Sequence, residues 1–140
     1  MSEGESWQPL LRDALATLAL PADDQVRING PGCAPCDLRE AFYHAYAFAL
    51  ESAPALSDNQ WGLLSKINTA LREMWGPDVE CGNNKVVQRP TWQRVRECAA
   101  EALRSFGWLG ARAQPFMEVE PGVWRRPLAQ QDDSADLGRT

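Results

Sequence analysis

The chain has 140 residues, 44% of them hydrophobic with six tryptophans, and a formal net charge of −5. It is long enough for one domain with its own core and too apolar for wholesale disorder. It is also acidic enough to disfavour non-specific attraction to nucleic acid or an anionic membrane. No window approaches the roughly 20 apolar residues of a membrane span, and the first seven residues hold Glu3 and Glu5 but no basic residue, unlike a secretory signal. The expected location is the cytoplasm, where thiols stay reduced. A core of this size needs no disulfide, so the four cysteines are not forced to pair. Nearly all the cations are arginine, a bias that a GC-rich genome would also produce together with the many alanines.

Residues 1–6 read as a frayed leader. Leu11, Ala14, Leu15 and Leu18 then predict a short amphipathic helix ending near Pro21. Gln25-Val26-Arg27-Ile28 alternates in polarity and predicts a short strand, closed by the turn cluster Asn29-Gly30-Pro31-Gly32. Asp37 and Glu40 have capping-box spacing, so a second helix is expected from Leu38, burying Leu38, Phe42, Ala45, Tyr46, Ala49 and Leu50 up to Pro54. Ser57 and Gln60 repeat that spacing before a third helix with the stripe Trp61, Leu64, Ile67, Leu71, Met74 and Trp75. Residues 77–90 form a turn-rich loop with a short strand expected at Lys85-Val86-Val87.

The strongest helical signal is the fourth, in the stretch from Pro90 to Gly110, with Thr91 expected as N-cap behind Pro90. Trp92, Val95, Ala99, Ala102, Leu103 and Phe106 share one stripe, Arg94, Glu97, Glu101 and Arg104 lie largely opposite, and Gly107 stands where a left-handed cap ends a helix. Residues 116–126 predict a hairpin about Pro121-Gly122, although Pro-Gly suits a type II turn and not the primed turns hairpins prefer. The expected architecture is mainly α: a compact bundle of three to four helices with a minor β-hairpin near the C-terminus. One domain spans residues 1–128, and 129–140 is an acidic, disordered tail.

Cys33-Ala34-Pro35-Cys36 carries the most pointed chemistry. A thiol at a helix N-terminus has its thiolate stabilised by unpaired backbone N–H groups. A short strand, a C-x-x-C and a helix resemble, over about a dozen residues, the local arrangement of thioredoxin-like proteins. That resemblance implies thiol redox chemistry at Cys33 and Cys36, but the βαβ pattern of long apolar strands is missing. The same pair also supplies half of a zinc site. Cys81, beside a glycine in a loop, is the next candidate ligand, with Cys98 and His44 the remaining ones. Neither a second C-x-x-C nor a C-x-x-H completes the spacing, and the plain alternative is four reduced cysteines without chemistry. Cys98 reads as a small core residue and His44 as a solvated or ion-paired one.

Nucleotide-loop, metalloprotease and nucleophile-elbow motifs do not occur, and the single histidine lies beside no nucleophile motif, so an enzyme is not expected. One nucleic-acid reading is coherent: a winged helix, with residues 91–106 carrying Arg94, Arg96 and Arg104 as recognition helix and 116–126, bearing Arg125 and Arg126, as wing. Glu97 and Glu101 and the global charge oppose it. Trp124-Arg125-Arg126 also has the composition of an interface anchor. The function expected from these observations is non-catalytic binding of another protein, as an adaptor, an inhibitor or an immunity- or anti-defence-type neutraliser. A second copy of the chain stays open as that partner. The alternatives are the winged-helix DNA binder and a small zinc or thiol-redox protein built on Cys33 and Cys36.

Overall fold

The computed structural model describes residues 3–131 apart from 31 and 53, with the backbone alone for residues 3–6. Among these, five α-helices appear in the order α1 (Glu3–Leu18), α2 (Ala22–Asn29), α3 (Ala34–Ser52), α4 (Asp58–Glu73) and α5 (Pro90–Phe106). Two 3₁₀ turns, Gly76–Val79 and Asn84–Gln88, lie between α4 and α5. Four short strands follow: β1 (Ala111–Arg112), β2 (Met117–Glu120), β3 (Val123–Arg125) and β4 (Gln130–Gln131). The protein is mainly α, 66% helical, with a small antiparallel region at its C-terminal end, the class expected from the periodicity. No helix among the described residues is long and apolar enough to cross a membrane.

The α1 helix is the element around which the others pack. It contacts α3, α5 and β1, and from Leu11 to Leu18 every residue except Arg12 is buried. A helix buried on all sides cannot keep a strict apolar stripe, so its polar residues need partners. Thr17 donates to the Ala14 carbonyl at 3.0 Å, and Asp13 binds Arg126. The α5 helix, whose periodicity is the clearest in the sequence, packs against α1 and α4 through Trp92, Val95, Ala99, Ala102 and Leu103. The expected Thr91 cap of α5 does not form: Arg89 is the N-cap, because Pro90 lacks an N–H and takes the first helical position. Two other predicted termini appear as expected. Ser57 and Gln60 close a reciprocal capping box at α4, and Gly107 ends α5 at φ +74.

Both expected internal strands are helical instead. Residues 22–29 form α2, with Asp23 and Asp24 in its first turn, Arg27 in its last, and an Asp24–Arg27 ion pair of 2.7 Å. These placements suit a helix dipole. The apparent alternation misleads because Gln25, the presumed outward polar residue, is buried. Its amide donates to the carbonyls of Thr17 and Leu18, both at 3.0 Å, satisfying the otherwise unpaired end of α1. Residues 84–88 form a 3₁₀ turn, in which the Asn83 side chain accepts from the Lys85 N–H and Val86 and Val87 are both buried.

Other boundaries move as well. The first helix begins at Glu3 and carries Pro9 within it, so most of the expected leader is helical; residues 1–2 lie outside the described residues. The α3 helix starts at Ala34, four residues before the expected Leu38, because Asn84 from outside the helix caps it there, accepting from the Ala34 N–H at 2.8 Å. Asp37 N donates to the Cys33 carbonyl at 2.9 Å, while the Asp37 carboxylate accepts from Asn29 at 3.0 Å. Leu50 and Trp75, both assigned to buried stripes, are 52% and 77% exposed; Trp75 lies beyond the end of α4.

The hairpin β2–β3 forms, with Met117 opposite Arg125 and Glu118 opposite Trp124. Its register shifts between Glu118 and Glu120, an irregularity that accommodates a Pro121-Gly122 turn of the unprimed kind, with Gly122 at φ +78. The segment assigned to a tail begins as ordered chain: Ala129 is buried and Gln130–Gln131 pairs with β1. Residues 132–140 lie outside the described residues.

Candidate metal centre

The Cys33–Cys36 segment opens α3, with Cys33 at its N-cap position and Cys36 in its first turn. Cys81 arrives from the loop between the two 3₁₀ turns. The three Sγ atoms all lie within 4.8 Å of one another. Three-cysteine convergence needs two distant loops to be held in register, and Asn84 does this. Its Oδ1 accepts from the Ala34 N–H at 2.8 Å, capping α3 from outside the helix, and its Nδ2 donates to the Gly32 carbonyl at 3.5 Å. Gly82 N–H donates to Cys33 Sγ at 3.1 Å, a bond from the Cys81 loop directly to the first cysteine.

A side chain at Gly32 would crowd the approach to this site and displace the Asn29–Asp37 pair. A Cβ there would stand 2.4 Å from Asp37 Oδ2 and 2.9 Å from Asn29 Nδ2. The glycine therefore lets the chain pass over the Asn29–Asp37 pair and deliver Cys33 to the helix start.

The thiols differ electrostatically although they share one site. Burial by itself raises the Cys33 thiol, yet its pKa is lowered, because the Gly82 N–H and the Cys36 and Cys81 thiols all donate toward its sulfur. Cys36 is pushed up to about 12, chiefly because it donates to Cys33, with burial and then Cys81 adding to the effect. Without a cation, three sulfurs this close cannot all carry charge: the contact that favours the Cys33 thiolate is the one that disfavours ionisation of Cys36.

A divalent cation would remove that conflict. Tetrahedral zinc with Zn–S near 2.3 Å places its sulfurs about 3.8 Å apart, so this cluster needs to close by at most about 1 Å. Partial exposure of Cys33 and Cys36 and the exposed position of Cys81 leave an entry path. The donor set, three thiolates on loop and helix-start positions, is soft and suits zinc over magnesium or calcium. Of the other candidates, Cys98 is half-buried on α5, where burial raises its thiol, and His44 is exposed on α3; neither joins the cluster.

The residues proposed for partner contact separate. Trp124 is 52% exposed and Arg125 is exposed on β3. Arg126 turns inward, with Nη2 donating to Asp13 Oδ2 at 2.6 Å and Nη1 to Oδ1 at 3.0 Å. Among the arginines assigned to nucleic acid, Arg94 and Arg104 are exposed, while Arg96 is buried and hydrogen-bonded inside the protein. No protein-family model, curated protein or solved structure matches the chain.

The third cysteine is the part of the site that spacing alone marked only faintly. Cys81-Gly82 followed by Asn83-Asn84 is a turn signature, and one of its asparagines is the residue that docks the loop on α3.

Proposed function

We propose that this protein is a small, non-catalytic zinc-binding domain in which Cys33, Cys36 and Cys81 hold one ion. The observation that carries the reading is the convergence of three sulfurs from two loops, reinforced by the Gly82 N–H directed at Cys33 Sγ. The ion would tie the segment between α4 and α5 to the start of α3, where no α-helix or sheet spans the connection. A reducing compartment such as the cytoplasm suits three free thiols. With three protein ligands, the fourth position falls to water or another exchangeable ligand.

Protein purified without chelator is expected to carry one zinc in the native mass spectrum and to lose it on denaturation. Cys33→Ser, Cys36→Ser and Cys81→Ser should each abolish stoichiometric zinc, whereas Cys98→Ser should retain it. Ligands bind deprotonated, so at least the Cys36 proton leaves on binding. Affinity should therefore rise with pH, by about tenfold per unit for each displaced proton. A reduced protein that takes up no zinc when the ion is added, or a Cys81→Ser variant that binds like wild type, would falsify the assignment.

A second reading, contact with another protein, rests on the hairpin. Met117, Val119, Val123 and Trp124 are 40–52% exposed on two adjacent strands. Trp124→Ala should abolish capture of a partner while moving the melting temperature by no more than about 2 °C, since the side chain covers little of the core. Equal loss of fold and capture would assign Trp124 to the core instead.

A further inference from the structure

A groove of about 570 Å³ opens where α4, α5 and the Gly76–Val79 turn meet, within the size range of small-molecule sites. Its wall includes Lys66, Thr69, Trp75, Thr91 and Arg94. Lys66 and Arg94 are both exposed, and neither makes a side-chain hydrogen bond or ion pair among the described residues. Of the two acids in the groove, Asp78 is engaged by Arg89 at 2.6 Å, which leaves Glu73 against two cations. With Arg89 offsetting Asp78, the recess keeps one net positive charge, although Glu97 and Glu101 stand near its two cations around Cys98.

Two further features favour an anion here. The first turn of α5 faces the groove through Thr91, and its N-cap residue, Arg89, provides no side-chain cap. Pro90 has no N–H, and the Trp92 and Gln93 N–H groups both donate to the Arg89 carbonyl, so the Thr91 N–H is the first-turn donor left for a ligand. The Thr91 hydroxyl is shielded from solvent and has no hydrogen-bond partner among the described residues. Trp75, 77% exposed, adds a flat aromatic face to the same groove.

We propose that this groove binds a nucleoside monophosphate. The base stacks on Trp75, and the phosphate sits between Lys66, Arg94 and the first turn of α5. A phosphate dianion offers enough oxygens for the lysine ammonium, the arginine fork and the Thr91 N–H together. A long nucleic-acid strand is disfavoured, because each additional phosphate meets the repulsion of the acidic protein.

The test is calorimetric titration of the full chain with AMP, GMP, adenosine, inorganic phosphate and a ten-nucleotide single strand. Saturable 1:1 binding of a nucleoside monophosphate is expected, with adenosine and inorganic phosphate each at least about tenfold weaker. Trp75→Ala should weaken binding by about tenfold or more, as loss of a base stack does. The Lys66→Ala/Arg94→Ala double variant should bind AMP no better than adenosine. All three side chains are exposed, so circular dichroism and melting should stay near wild type and separate lost binding from lost fold. No saturable mononucleotide binding up to about 10 mM overturns the proposal. So does inorganic phosphate binding as tightly as AMP, or a strand binding tighter than the monomer and unaffected by Trp75→Ala.

Discussion

Asp13→Ala is expected to destabilise the protein by about 3–5 kcal/mol, because it strands a charge inside. Asp13 sits in the all-round buried part of α1. Its carboxylate accepts two bonds from the Arg126 guanidinium, at 3.0 and 2.6 Å, and a third from the Ala129 N–H at 2.8 Å. The side chains of Asp13 and Arg126 are 5% and 16% exposed, so solvent replaces little of what is lost. Removal of the carboxylate leaves the guanidinium with only a long 3.5 Å bond to the Gln114 carbonyl and the Ala129 N–H without an acceptor, and it releases the C-terminal segment that places β4 beside β1. The melting temperature should fall by more than about 10 °C. Asp13→Asn, which keeps one acceptor for Ala129, should fall in between. The double variant Asp13→Leu/Arg126→Met should be far milder than either single loss, since it removes both charges together. A single Asp13→Ala variant melting within about 2 °C of wild type would show that the pair contributes nothing to the fold.

Arg96→Ala should cost about 3 kcal/mol or more, whereas Arg94→Ala, two residues away on the same helix, should stay within about 0.5 kcal/mol. Arg96 Nη1 donates to Gln25 Oε1 at 3.0 Å and Nη2 to the Val87 carbonyl at 2.9 Å, while Nε donates to Gln93 at 3.1 Å. This one side chain therefore links α5 to α2 and to the Asn84–Gln88 turn. Its truncation leaves two buried acceptors without donors, each costing about 1–3 kcal/mol, and opens a void. Burial lowers the Arg96 pKa, with Glu97 opposing that effect, and the guanidinium stays charged across any practical pH range. Chemical denaturation of the two variants side by side checks the contrast; equal midpoints would remove the internal role assigned to Arg96.

The same contrast explains where periodicity is informative and where it fails. The sequence by itself determined the helical class, the stripe of α5, the capping box at Ser57 and Gln60, and the Gly107 stop, because each depends on neighbours three or four residues away. It also marked Cys33, Cys36 and Cys81 as candidate ligands by residue type. Tertiary structure decided the remainder, where a polar residue's partner lies far along the chain. Gln25 looked solvent-facing until α1 offered it two unpaired carbonyls, and that reversed a predicted strand into α2. Arg96 and Arg126 looked like surface cations until Gln25, Val87 and Asp13 drew them inward. Cys81 reaches Cys33 and Cys36 only because Asn84 docks one loop on the start of α3, a contact across 50 residues that no local pattern encodes. Local chemistry sets which elements form, but burial of polar groups is settled only when distant partners meet.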